Sequence, residues 1–76
     1  MYPTKANLYY YAAKGNNNLK NYKKAKDFLE MGIDYLIDDS SLEIGFCKQF
    51  IICADGLSDA KLKQTYQKRL ETLSKQ

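Results

Sequence analysis

Apolar positions in this chain recur at spacings of three and four, the pattern of helices that each bury one face. Between Asn18 and Ile37, the residues Tyr22, Ala25, Leu29, Gly32 and Leu36 share one face, while Lys23, Lys24, Lys26, Asp27, Glu30 and Asp34 take most of the other. Upstream, Leu8, Ala12, Gly15 and Leu19 lie at offsets of four, seven and eleven and predict the apolar face of a first helix starting near Lys5. Pro3 makes a suitable entry and Thr4 a cap for its free N–H groups. Tyr9, Tyr10 and Tyr11 point in three directions, so two are expected to pack and one to stand exposed. The run Gly15, Asn16, Asn17, Asn18 is poor helix material, but Leu19 still fits the face, which puts the turn at Lys20 and Asn21.

The polar stretch Asp38, Asp39, Ser40, Ser41 separates the second helix, expected to run from Tyr22 to about Ile37, from a third. Ser40 with Glu43 three residues on satisfies a capping box, which predicts that the third helix begins at Ser41. From Leu42 to Ala54 this helix is apolar nearly all the way round, as expected of one buried on more than one side. Asp55 to Asp59 reads as a turn, with Gly56 taking the left-handed conformation and Ser58 capping the last helix. There, Leu62, Tyr66, Leu70 and Leu73 form a narrow stripe on a charged surface. The prediction is one all-α domain over residues 1–76, four helices in two antiparallel hairpins at about 4–37 and 41–74.

A glycine inside a helix is less favourable than alanine by roughly 1 kcal/mol. Gly32, seven residues after Ala25 on the buried face, therefore predicts that another helix comes close at that point. In the helix pair from Ala6 to Asp39, Ala13, Ala25 and Gly32 stand at small positions, Tyr9 and Tyr22 at aromatic ones and Leu29 at a large apolar one. In that placement, and in a length of about 34 residues, the pair resembles a tetratricopeptide repeat, or TPR. Asn16 and Ile37 depart from the pattern, where a large apolar residue and a closing proline are usual. The second pair, Ser41 to Ser74, resembles it less: Phe46 and Tyr66 suit aromatic positions, but Phe50 and Leu62 fall where small residues belong. The wording Leu-Lys-Asn-Tyr-Lys-Lys-Ala, Ser-Leu-Glu-Ile-Gly-Phe and Gly-Leu-Ser-Asp-Ala-Lys is also similar to the C-terminal helices of the peptide-sensing TPR regulators of Gram-positive bacteria, although no helix-turn-helix segment accompanies it. The resemblance implies a peptide- or protein-binding module whose first helix lines a groove with Asn7, Tyr10, Lys14 and Asn17. Asparagine can bond both the N–H and the C=O of a peptide, and lysine can meet a carboxylate.

Composition narrows the remaining classes. The formal net charge is +3, with acidic residues interspersed among the lysines, unlike the concentrated basic patch of a nucleic-acid binder. The chain has no histidine, which excludes a Cys/His metal site and any nucleophile served by a histidine base. Cys47 and Cys53, six residues apart on one helix, would have Cα atoms about 9 Å apart, too far for a disulfide, and are expected to be free and buried. Capping explains Asp38 and Asp39 without acid–base chemistry. No catalytic constellation, cofactor or metal is expected. With no apolar run of about 18 residues and no secretory pattern at Met-Tyr-Pro-Thr-Lys-Ala-Asn, the expectation is a cytoplasmic chain without membrane partners.

A chain of 76 residues buries only about 60% of the surface its unfolded form exposes. Helical repeats normally need about three units for stability. Two hairpins fall short of that, which suggests either self-association as a homodimer, with Tyr35, Ile44, Ile51 and Ile52 as candidates, or an oligomerisation or capping segment of a larger repeat array with no ligand of its own.

Overall fold

The structure is a computed structural model, and it describes residues 4–36 and 39–75. Four helices follow in order: α1 (Lys5–Asn18), α2 (Tyr22–Ile33), α3 (Ser40–Gly56) and α4 (Ala60–Ser74), with no strand among the described residues. α1 pairs with α2 and α3 with α4, giving the two expected hairpins, and α3 also packs against both helices of the first hairpin. That central position accounts for its apolar composition. One side carries Phe46 against hairpin one, and another stacks Phe50 on Tyr66 of α4 with ring centroids 3.9 Å apart and planes 5° from parallel.

The start of α1 is capped as expected, with Thr4 Oγ1 accepting from the Asn7 N–H at 3.1 Å. Two other starts differ. α3 begins at Ser40, not Ser41, because Asp39 Oδ1 accepts from the Leu42 N–H at 3.0 Å. The anticipated capping box fails for a physical reason: Glu43 is turned away to accept from Arg69 Nε at 2.7 Å. α4 is likewise capped by Asp59, which accepts from the Leu62 N–H at 3.1 Å, in place of Ser58. A carboxylate is a charge-assisted acceptor and complements the positive end of the helix dipole, so it displaces the neighbouring hydroxyl.

Ser58 instead takes the left-handed backbone, φ 57°, expected of Gly56, which is the last residue of α3. Lys20 does the same after α1 at φ 63°. The two hairpin turns are built alike. The N–H groups of Asn21 and Asp59 reach back to the carbonyls of Asn16 and Ala54 at 2.7 and 2.8 Å, and those of Lys20 and Ser58 to Asn17 and Asp55. Lys20 thus corresponds to Ser58 and Asn21 to Asp59, a spacing longer than the repeat unit of about 34 residues that the resemblance implies. Part of the excess lies in the helices themselves, since α3 is longer than α1.

α2 ends at Ile33, short of the expected Ile37, which lies outside the described residues, as do Pro3 and Asp38. The N–H groups of Tyr35 and Leu36 bond to the carbonyls three residues back, tightening the chain into a turn. There the Tyr35 ring stacks on Tyr9, centroids 5.9 Å apart, with Lys5 Nζ 5.2 Å from its centroid. The small residues act as anticipated. Ala13, Ala25 and Gly32 are buried, and a Cβ added at Gly32 would lie 2.5 Å from Tyr9 Cβ and 2.8 Å from Phe46 Cζ. Gly32 is therefore the point at which α1, α2 and α3 converge.

Candidate functional site

The expected apolar face of α1 is turned outward. Leu8, Tyr11 and Leu19 are 57%, 64% and 73% exposed, and Gly15 has no neighbour within 4 Å of where a Cβ would stand. The face that packs holds Ala6, Ala13 and Asn17, with Tyr9 and Tyr10 half-buried beside them. Periodicity predicted a buried stripe of Leu8, Ala12, Gly15 and Leu19, and the structure corrects it by half a turn of the helix. Two tyrosines pack and the third, Tyr11, is exposed.

This rotation decides where the four groove candidates fall. Tyr10 lies over α3: its ring centroid is 5.9 Å from that of Phe46, and a Cβ at Gly45 would meet its Cε1 at 2.9 Å. Asn17 is only 6% exposed, and its amide Nδ2 donates to the Gln49 side-chain Oε1 at 2.9 Å and to the Gln49 carbonyl at 3.2 Å. Its own Oδ1 is buried without a partner. Tyr10 and Asn17 are thus contacts that join α1 to α3, not free groove residues. Asn7 is half-buried and Lys14 is exposed.

On α3, Lys48 and Ile52 flank Gln49 at offsets of one and three and are both exposed, which puts them on the border facing α1. Spacing alone missed these two, because it could not show which side of α3 meets α1. The border between the first helices of the two hairpins therefore carries Asn7 and Lys14 on one wall and Lys48 and Ile52 on the other, over a floor made by the Tyr10–Gly45 and Asn17–Gln49 contacts. Its charge is positive. α1 contains no acidic residue, and Asp55 on α3 is engaged by Lys63 Nζ at 3.1 Å.

The proposed self-association residues do not form one patch. Ile44 and Ile51, seven apart on α3, are half-buried, whereas Ile52 lies about 100° further round the helix and is exposed. Tyr35 lies just after α2, stacked on Tyr9, and lines a cleft with Leu36, Asp39 and Leu42.

A cleft of about 390 Å³ opens between Ile33, Glu43, Cys47, Tyr66, Arg69 and Thr72. Burial pushes the Cys47 thiol above its ordinary 9.0, helped by the Glu43 carboxylate and opposed by Arg69. Cys53, also free, is pushed up to about 11, chiefly by burial. Thiols of this kind stay protonated at neutral pH and are poor nucleophiles. Among the described residues no group of three or more cysteine, aspartate or glutamate side chains is gathered as metal ligands, and no helix is long and apolar enough to cross a membrane. No family model matches the chain, and neither a curated protein nor a solved structure does.

Proposed function

We propose that this chain is a non-catalytic helical-repeat adaptor that binds a peptide or protein segment along the α1–α3 border, with carboxylates of that segment meeting Lys14 and Lys48. The carrying observation is the pairing of the two first helices. Their contact at Tyr10–Gly45 and Asn17–Gln49 sets two exposed lysines on facing walls, with Ile52 beside them as an apolar anchor and no acidic residue on α1 to neutralise the charge. Asn7 supplies an amide that can serve both the donor and the acceptor of an extended backbone. Charge-assisted bonds to lysine on so open a surface give a salt-dependent interaction of modest affinity.

The test is an array of short peptides in matched pairs, with acidic side chains or amides and with free or amidated C-termini, read by fluorescence anisotropy for the best binders. A Lys14→Ala, Lys48→Ala double variant should lose at least about tenfold in affinity, or about 1.4 kcal/mol, for the carboxylate-bearing members. Equal affinity for amidated partners, or an unchanged double variant, would remove the proposal. A second reading, a capping segment of a larger helical array, draws on the side of α4 that corresponds to the α3-facing side of α2. With the two hairpin turns superposed, Ala60, Lys63, Gln67 and Leu70 take the places of Tyr22, Ala25, Leu29 and Gly32, so Lys63 and Gln67 stand where α2 offers the buried Ala25 and Leu29 to α3.

A further inference from the structure

The outward face of α1 is a feature that this function does not use. Helical geometry puts Leu8, Tyr11, Ala12, Gly15 and Leu19 within one arc of about 100°, and that arc contains no charged side chain. Beside it runs a groove of about 400 Å³ lined by Lys5, Leu8, Tyr9, Ala12 and Phe28. The match between the two hairpin turns shows what kind of surface this is. With Ser58 laid on Lys20 and Asp59 on Asn21, the side of α3 that packs on hairpin one, Gly45, Phe46, Gln49 and Cys53, falls on Asn7, Leu8, Tyr11 and Gly15. In α3 that side is covered by another hairpin. In α1 it is open.

We propose that a second copy of this chain covers it, through antiparallel pairing of α1 with α1 about a two-fold axis. The spacing carries the choice of occupant. Leu8, Ala12, Gly15 and Leu19 are separated by four, three and four, which reads the same in both directions. A two-fold interface requires that if residue i meets j, then j meets i. In the antiparallel register centred between Ala13 and Lys14, Leu8 meets Leu19 of the second copy at both ends and Ala12 meets Gly15 in the middle. Small residues thus fall where the helices approach most closely. Leu19, the most exposed of the large apolar residues among those described, is delivered to the Leu8, Ala12 and Phe28 groove of the other molecule.

Head-to-tail assembly is disfavoured, because the α4 face that would receive α1 is polar, with Lys63 and Gln67 in the places of Ala25 and Leu29. The surface offered by Leu8, Tyr11 and Leu19, with the flanking groove, amounts to about 1,000 Å² over two copies, close to the lower limit for specific association. An interface of that size belongs to the weak or transient class. This deepens the self-association expected of so short a repeat and moves it from the α3 isoleucines to α1. It does not depend on a peptide at Lys14 and Lys48.

Sedimentation equilibrium on the full chain, over about 5 to 500 µM, tests it. The mass should rise to that of a dimer and stop there. Leu8→Glu and Leu19→Glu replace exposed side chains and should leave the helical circular dichroism unchanged while weakening association at least tenfold, and Ile52→Glu and Lys14→Ala should leave it unaltered. Gly15→Leu is the discriminating variant. It adds apolar surface, so general stickiness would strengthen with it, whereas close approach of Ala12 to Gly15 predicts weakening by tenfold or more. A monomer throughout the range, growth beyond a dimer, loss of association in Ile52→Glu, or tighter association in Gly15→Leu would each overturn the proposal.

Discussion

Gly32 and Gly15 are both helical glycines, and replacing each by alanine should move stability in opposite directions. At Gly32 a methyl group would sit 2.5 Å from Tyr9 Cβ and 2.8 and 3.0 Å from two ring carbons of Phe46. The Phe46 ring can turn, but Tyr9 Cβ is fixed to the α1 backbone, so α1 and α2 must move apart by nearly an ångström at their closest point. Overpacking of a tight core costs about 1–3 kcal/mol, and the gain in helix propensity returns about 1 kcal/mol of it. The net expectation for Gly32→Ala is a loss of about 1–2 kcal/mol. At Gly15 nothing stands within 4 Å, so only the propensity remains and Gly15→Ala should gain up to about 1 kcal/mol.

Urea titration followed by circular dichroism at 222 nm, at a concentration low enough to keep the chain monomeric, measures both. With a slope of about 1 kcal/mol per molar urea, the two midpoints should separate by about 2 M, with the parent between them. Against a total stability of about 4–11 kcal/mol for a chain of this size, that separation is large. A Gly32→Ala variant at least as stable as the parent would refute the close approach of α1, α2 and α3 at this point, and with it the reason for a glycine there.

Further outcomes follow from the caps, the α1–α3 contact and the thiols. Asp39→Ala and Asp59→Ala should each cost about 1 kcal/mol in the same titration and Ser40→Ala almost nothing, whereas Ser58→Gly, relieving a left-handed serine, should stabilise by about 1 kcal/mol. Asn17→Ala should cost about 1–3 kcal/mol, and a double-mutant cycle with Gln49→Ala should return a coupling of at least about 0.5 kcal/mol; independent effects would show that the pair does not join the helices. The thiol of Cys53 is raised from 9.0 to about 11 and that of Cys47 is raised too, so the folded chain holds these protons more tightly than the unfolded one. Their contribution is complete below pH 9 and is lost as pH rises towards 11, so midpoint urea concentration should fall across that window, and a Cys53→Ala variant should show a shallower fall.

Which features were legible in the sequence depends on how many constraints each residue carries. The four helices, the two hairpins and the convergence on Gly32 could all be read, because polar breaks at Lys20–Asn21 and Asp55–Asp59 and the Ala25–Gly32 pair admit one helical reading. The caps could not. Asp39 beside Ser40 and Asp59 beside Ser58 offer two competent acceptors one residue apart, and the choice rests on a carboxylate's stronger bond and on Glu43 being drawn to Arg69. At the border between α1 and α3, two of the four expected residues, Tyr10 and Asn17, are used up in packing, and Lys48 and Ile52 become visible only once α3 is oriented by Gly45 and Gln49.

The misplaced face of α1 has a more general cause. Its larger apolar residues, Leu8 and Leu19, stand on one side, while the side that packs is built from Ala6, Ala13 and an asparagine, so a scale of hydrophobicity selects the wrong half. Small residues were chosen inside because α1 lies close to α2 and α3, where bulk does not fit. Large ones remain outside, where bulk is free to meet something else. α3 shows the finished state of the same arrangement, with Phe46 directed to hairpin one and Phe50 to α4, both sides covered. An outward leucine pair on a helix whose inward side is already satisfied is not surplus core. It is an apolar face left open, and the symmetric spacing from Leu8 to Leu19 is the reason for proposing a copy of the same helix as its occupant.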